Sequence, residues 1–344
     1  MAFCSIGKSC WGGGHIGFCM FEEIISLENL LLAWQEFVSG KRDKVDVQEF
    51  ERELMDNILY LHDELANGAY RHGPYHSFHI CDPKPRHIHK ATVRDRLLHH
   101  AIHRVLYPIF DHLFISDSFS CRVDKGIHAA GARFRSFINK TSENNTRTCW
   151  VLKCDIRKFF ASIDHVRLSA ILARTISDAL VMRLLQEVIS SFHASPGRGL
   201  PLGNLTSQLL ANIYMNELDC FMKNRMGLPH YIRYADDFVI LHPNRVFLVS
   251  LVPCVSDFLQ CYLLLHLHPR KIALKTLASG VDFLGWSYFP THKVLRTVTK
   301  RRAFRNIVKR PVQTTLQSYL GLLGHGNAYK IEQELRNVAW LYST

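Results

Sequence analysis

Two adjacent aspartates, Asp236 and Asp237, interrupt an otherwise apolar stretch, with Tyr231–Tyr234 before them and Phe238–Leu241 after. The β-branched and aromatic residues on both arms predict two strands, with Ala235–Asp236–Asp237 at the hairpin between them. Like charges so close repel, and a cation is the natural neutraliser. A third carboxylate arrives from upstream, where the short apolar strand Cys149–Cys154 runs into Asp155. Magnesium takes one or two carboxylates together with phosphate oxygens and water. Two such ions about 3.5–4 Å apart activate an attacking hydroxyl and stabilise a leaving pyrophosphate in an in-line displacement. Asp155, Asp236 and Asp237 are therefore the expected catalytic and metal-binding set, with two Mg²⁺ ions, or Mn²⁺ in their place. Alone, Asp236–Asp237 would read as a polar hairpin tip; the strand-delivered Asp155 changes that reading.

Composition says what such a site would act on. The chain has 344 residues, 47% hydrophobic and 21% charged, which builds a large core and excludes disorder, collagen and a small disulfide scaffold. Its length suggests two or three lobes. With 42 Lys and Arg against 30 Asp and Glu, the formal net charge is +12, the balance of a protein with a polyanionic partner. Between Phe283 and Ile331 there is no acid, while Lys293, Arg296, Lys300, Arg301, Arg302, Arg305, Lys309, Arg310 and Lys330 are basic. Ten scattered cysteines form no CxxC pair, so a reduced, intracellular chain is expected. Cys4, Cys10, His15 and Cys19 match no common zinc spacing. Lys8 is a lone charge and Gly12–Gly14 breaks any apolar signal core. Apolar stretches such as Val246–Val255 fall short of the roughly 18 residues of a membrane span, so no membrane partner is expected.

Helical spacing is expected over Ser26–Gly40, over Val47–Leu65, along residues 94–115 with Pro108 kinking or ending the helix, at 165–175, at 179–192, and from Ser207 to Lys223. Tyr75–Cys81 alternates as a strand, followed by the turn Asp82–Pro85. His99, His100 and His103 share a helix turn and are expected to face solvent or nucleic acid.

In sequence, these blocks resemble the reverse transcriptases, from about residue 80 to 325, and within them the bacterial group of group II intron, retron and diversity-generating retroelement enzymes. The resemblance is carried by Asp-Pro-Lys-Pro-Arg (82–86), Val-Arg-Asp-Arg-Leu-Leu-His-His-Ala-Ile (93–102), Ser-Phe-Ser-Cys-Arg-Val-Asp-Lys-Gly (118–126), the 151–160 and 234–237 blocks, and Phe-Leu-Gly-Trp (283–286). It implies an α+β right-hand polymerase: fingers, a palm with an antiparallel sheet backed by helices, and a helical thumb. The expected division is a loosely ordered lead-in at 1–22, fingers with part of the palm at 23–148, catalytic palm at 149–289 and basic thumb at 290–344. Leu-Pro-Leu-Gly-Asn-Leu-Thr-Ser-Gln (200–208) departs from the common pattern, which has Gln-Gly at Leu202–Gly203 and Ser-Pro at Ser207–Gln208. The form present here is that of diversity-generating retroelements, which copy a template-repeat RNA with errors opposite adenine.

The resemblance assigns further roles. Lys84 and Arg86 would grip the triphosphate, Phe160 would gate the ribose 2′ position, and Leu202 and Gly203 would flank the nucleotide. Ile156 would offer a carbonyl to a metal. Lys271 would serve the leaving pyrophosphate, with Lys275 in competition. Arg96, Arg122, Lys125, Gln208 and Tyr234 would contact template or primer, Phe283, Leu284, Gly285 and Trp286 would form the primer grip, and Arg301, Arg302 and Arg305 would track phosphates. The expected partners are an RNA template, a DNA or RNA primer, deoxynucleotides and a small basic accessory protein that forms an oligomeric ring, in the cytoplasm of a bacterium or from a phage. The alternatives are a retron-like or group II-like enzyme of ordinary fidelity and a non-catalytic RNA-binding protein on the same scaffold.

Overall fold

The computed structural model describes residues 20–81, 85–310 and 312–342. Lys84 and the Cys4–Cys19 group fall outside them. Of the lead-in expected at 1–22, residues 1–19 lie outside the described residues, and residues 20–22 belong to helix α1 (Met20–Ile25), which buries Phe21, Ile24 and Ile25. It is tied down where the Phe21 amide donates to Asp178 Oδ2 at 3.0 Å. Helix α2 (Leu27–Val38) starts where the Ser26 hydroxyl accepts from the Asn29 amide. The single helix expected over 47–65 is two, α3 (Val45–Arg52) and α4 (Leu54–Ala66), broken at Glu53 with φ −119° and ψ 42°. No Gly or Pro marks that break. Asp46 of α3 is held by Lys90 and Arg96, each at 2.6 Å.

Strands β1 (His76–Ile80) and β2 (Arg86–Lys90) form an antiparallel hairpin. Helix α5 (Val93–Asp111) then runs on through Pro108. The proline is exposed, so the carbonyl it leaves without an amide partner faces water and the helix tolerates it. Of the α5 histidines, His99 is buried while His100 and His103 are half-buried. His99 is 1% exposed, its Nε2 lies 3.3 Å from Nε2 of His72, and burial pushes it down to about 3. Burial likewise lowers His100 and His103 to about 4. The unfolded chain, with histidines near their ordinary 6.5, therefore binds protons that the folded one refuses. Stability is complete above pH 6.5 and is lost as pH falls toward 4, at up to ~1.4 kcal/mol per pH unit for His99. The melting temperature is expected to drop by about 2 °C or more between pH 7 and pH 5.5, and His99→Leu to flatten that acid limb.

Beyond α6 (Ile127–Thr141), β3 (Trp150–Asp155) enters a four-stranded sheet. A short turn of helix α7 (Phe159–Ser162) leads to α8 (His165–Leu172) and α9 (Ala179–Ser190), capped by Asp164 and Asp178. Helix α10 (Leu205–Cys220) ends in a π turn at Phe221–Arg225. Strands β4 (Tyr231–Tyr234) and β5 (Asp237–His242), helix α11 (Arg245–Leu263) and β6 (Ala273–Thr276) complete the sheet in the antiparallel order β4-β5-β3-β6. Both faces of this sheet are covered, which is why its strands read as apolar runs. Leu152, Cys154, Tyr231, Phe238 and Ile240 pack into a core shared with α1, α2, α5 and α8 to α11. Val151, Ile232, Val239 and Leu241 face a second core with Phe134 and Phe137 of α6.

That second core continues into a three-stranded antiparallel sheet, β7 (Val281–Phe283), β8 (Trp286–Tyr288) and β9 (Lys293–Leu295), and three helices, α12 (Thr297–Lys309), α13 (Gln313–Leu323) and α14 (Tyr329–Tyr342). Strand β9 pairs with β8, so this sheet straddles the boundary expected at 289/290, and the helical lobe starts at Thr297. The expectation about apolar length is corrected by α11. Its 19 residues are long and apolar enough to cross a membrane by length and composition, with a mean hydropathy of 1.7 and a third of that window buried. Scattered polar residues hide it from a search for unbroken apolar runs. Its inner face, with Leu248, Leu251, Val255 and Leu259, lies in the first core.

Candidate active site

Register brings the carboxylates together. Asp155, the last residue of β3, stands directly opposite Asp237, the first of β5. Opposed residues on antiparallel strands point to the same face, the one that carries Lys153 and Val151. Tyr234 pairs with Asp237 and closes a two-residue turn of Ala235 and Asp236. Ala235 sits there at φ 54°, a left-handed conformation uncommon for a residue with a side chain. Asp236 is half-buried, and burial, then Asp155 and Asp237, push its carboxyl up to about 6.

Lys271 supplies the opposing charge, with Nζ 2.8 and 2.9 Å from the two oxygens of Asp155. Lys153 stands 3.8 Å from Asp237 and donates to the Asp282 carbonyl at 3.3 Å. These residues line a cavity of about 290 Å³ that also receives Lys275 and Arg296. Lys275 lies on β6 opposite Val151, four residues from the Asp155 contact that Lys271 makes.

The donor chemistry suits a hard divalent cation: paired carboxylates whose mutual repulsion raises one pKa, with a cationic side chain resting on the other. Among the described residues no three His, Cys, Asp or Glu side chains already enclose an ion position. The Ile156 carbonyl is not spent on the neighbouring segment that carries Leu267. The Arg157 amide bonds the His266 carbonyl and the His268 amide bonds the Asp155 carbonyl, which brackets Ile156 and Leu267 as a pair whose own backbone groups point apart.

The residues expected around a nucleotide also converge. The Leu200 amide donates to the Phe160 carbonyl at 2.8 Å, and the His89 amide of β2 donates to the Leu202 carbonyl at 2.9 Å. Gly203 has φ +109°, and a Cβ there would come within 2.8 Å of Ile88 Cγ2, so only glycine lets this turn sit on the hairpin. Asn204 completes the joint by donating to the His89 carbonyl. Phe160 and Leu202 are half-buried, Phe159 is buried, and Arg86 is exposed at the start of β2. Gln208 is half-buried on α10.

The expected template and primer residues divide. Arg301 and Arg305 are exposed on α12 and Arg302 is half-buried. In the 283–286 block, Phe283 and Trp286 are buried core residues, so the accessible part of a primer grip reduces to the half-buried turn Leu284–Gly285, with φ 47° and 89°. Two arginines expected along the template are structural instead. Arg96 is 14% exposed, paired with Asp46 and lying over the Phe37 ring at 4.9 Å. Arg122 is 5% exposed and divides its donors between Asp111 and the carbonyls of Ile115 and Ser118. Lys125 bonds the Ser116 carbonyl beside Phe119. Tyr234 is half-buried against the second core.

Sequence reasoning missed Arg233. It is fully buried and spends its guanidinium on Asp219, on Asn212 Oδ1, on Ser118 Oγ and on the Ala235 carbonyl. Tyr231 adds a hydroxyl bond to Asp219 at 2.7 Å. A lone arginine inside the apolar arm Tyr-Ile-Arg-Tyr was the available signal, since a buried charge needs a partner.

The profile of the reverse transcriptase (RNA-dependent DNA polymerase) family matches residues 82–288. Protein YkfC of Escherichia coli K12 is 26% identical over 295 residues, covering 74% of this chain and 75% of YkfC. The group II intron-encoded protein LtrA of Lactococcus lactis subsp. cremoris is 26% identical over 183 residues, half of this chain and 29% of LtrA. Among solved structures, telomerase from Candida albicans in complex with a fragment of telomeric RNA superposes with a TM-score of 0.53 at 11% identity. It covers 80% of this chain and 56% of its own. Apo telomerase from Candida tropicalis gives 0.52 at 12% identity, covering 79% and 57%. The chain thus spans little more than half the length of those telomerases and under a third of LtrA, and at such identities the superpositions establish the fold, that of a right-hand polymerase. The family match runs from the β1–β2 hairpin to the end of β8, more than half of the chain, and the chain belongs to the reverse transcriptase family, whose RNA-directed DNA polymerase domains use divalent metal ions.

Proposed function

We propose that this protein copies RNA into DNA with Mg²⁺ at Asp155, Asp236 and Asp237, and that it does so with relaxed fidelity at adenines, in service of a retroelement that rewrites a variable gene. The observation that carries the polymerase reading is the register of Asp155 on Asp237 with Asp236 at the adjoining turn. Bound there, two Mg²⁺ ions would activate the primer hydroxyl and steady the leaving pyrophosphate. The chain's own residues do the rest. Arg86 on the hairpin meets the triphosphate, Phe160 stands against the sugar, and the exposed arginines of α12 follow duplex phosphates without sequence choice.

The relaxed-fidelity reading rests on Leu202. The turn that carries it is bolted to β2 by His89 and Asn204 and to Phe160 through Leu200, so its side chain stands among the expected nucleotide contacts. An aliphatic group there has no hydrogen bond with which to reject a misplaced base. Action in the cytoplasm and help from a small basic ring-forming protein belong to this proposal. A retron-like or group II-like enzyme of ordinary fidelity is the second reading, favoured by the intron-encoded relatives.

Primer extension on a heteropolymeric RNA template, with Mg²⁺, all four deoxynucleotides and sequencing of the products, decides between them. Substitutions concentrated opposite template adenines support the first reading, and uniform copying supports the second. Leu202→Gln is expected to lower errors opposite adenine by about fivefold, the discrimination that one net hydrogen bond supplies. An unchanged error spectrum would sink the role given to Leu202.

A further inference from the structure

The contact between Lys271 and Asp155 is built, not incidental. Lys271 ends the short helical turn Pro269–Lys271, whose start is fixed to the end of β3 because the His268 amide donates to the Asp155 carbonyl at 2.8 Å. The Lys271 amide closes back on the His268 carbonyl at 2.9 Å. Backbone bonds therefore place the root of the lysine beside the carboxylate it covers. The two partners differ in freedom. The Asp155 side chain is 11% exposed and the Lys271 side chain 46%, so the carboxylate is fixed while the ammonium sits on an exposed stem that can swing.

An ammonium that contacts both carboxylate oxygens and a doubly charged ion that needs at least one of them compete for the same place, and their charges repel at such separations. We infer that Lys271 is a resident counter-cation of Asp155, which neutralises the carboxylate until a divalent cation arrives and then swings into the cavity toward incoming phosphate groups. Metal loading and presentation of a cationic group to the nucleotide would then be one event. This inference rests on Asp155 being a metal ligand, as proposed above.

The test reads the lysine rather than the reaction. The full-length protein, free of nucleotide and nucleic acid, is reductively methylated with formaldehyde and cyanoborohydride, with or without Mg²⁺ at matched ionic strength. Chymotryptic peptides then report Lys271 and Lys275 separately. Lys275 is exposed on the same cavity and makes no ion pair among the described residues, so it is the internal reference. Without Mg²⁺, Lys271 should react about fivefold more slowly than Lys275, the occupancy a partly exposed ion pair sustains. Mg²⁺ should bring the two rates together. Asp155→Asn should release Lys271 without Mg²⁺ and leave it indifferent to the ion. If Mg²⁺ raises the melting temperature of the wild-type protein but leaves Lys271 labelling unchanged, the counter-cation role is overturned and the metal site stands. If Mg²⁺ changes neither, both the inference and the metal site beneath it fall.

Discussion

Asp236→Ala is expected to lower DNA synthesis by at least about 10³-fold, a loss of roughly 4 kcal/mol of transition-state stabilisation, while RNA binding stays within about twofold. The two effects separate because the groups expected to hold nucleic acid, the exposed arginines of α12 and the turn Leu284–Gly285, lie on other elements. The variant should also fold at least as well as the parent. In the metal-free protein Asp236 titrates near 6 instead of its ordinary 3.8, raised by burial and by Asp155. A carboxyl with a raised folded pKa favours the fold below pH 3.8 and loses that contribution as pH climbs through about 6. At pH 7.5 the ionised group therefore costs the fold ~3 kcal/mol, and alanine removes that cost. Melting curves at pH 7.5 without Mg²⁺ should place Asp236→Ala level with or above wild type, and Mg²⁺ should stabilise only the wild type. Synthesis that survives the change would refute the assignment of the site.

Arg233→Met is expected to destabilise the protein by about 3–5 kcal/mol, because it strands Asp219 without its partner in a fully buried position. The damage would reach the site as well. Arg233 Nη1 bonds the Ala235 carbonyl at 3.1 Å and so steadies the left-handed turn that aims Asp236. Arg233→Lys should behave much the same, since one ammonium cannot meet Asp219, Asn212, Ser118 and Ala235 together. The double variant Arg233→Met, Asp219→Leu removes both charges and should recover more than half of the lost stability. Synthesis should not return with it. Urea denaturation midpoints read the first effect and primer extension the second. Recovery of both would reduce Arg233 to a packing role.

Much of the site was legible because its signals are local. Period-2 patterning with turn residues between the arms announces a hairpin whatever surrounds it, and an apolar strand ending in Asp155 announces a carboxylate at a sheet edge. Gly203 was expected for close approach to a nucleotide, and only the structure shows that it also lets the turn sit against Ile88 of β2. Long-range pairing has no such local signature. No Gly or Pro in residues 45–66 marks Glu53 as a break, and the pairing of Asp46 with Lys90 and Arg96 has no local signature either. For Arg96 and Arg122 a place along the template and a buried structural role were nearly balanced in sequence, and the structure pairs each with an acid, Asp46 and Asp111. The histidines of α5 were expected to face solvent or nucleic acid, and the helices packed around them buried His99 and half-buried His100 and His103.

By itself, then, the sequence determined the strand and hairpin that carry the three candidate carboxylates and the basic helical lobe, because each is written in residue type and short-range spacing. Only the tertiary structure decided that Asp155 stands opposite Asp237, that Lys271 covers Asp155, and that Arg233 braces the turn from within. Those depend on strand register and on buried charge finding its partner, and both are settled by the packing of the whole chain.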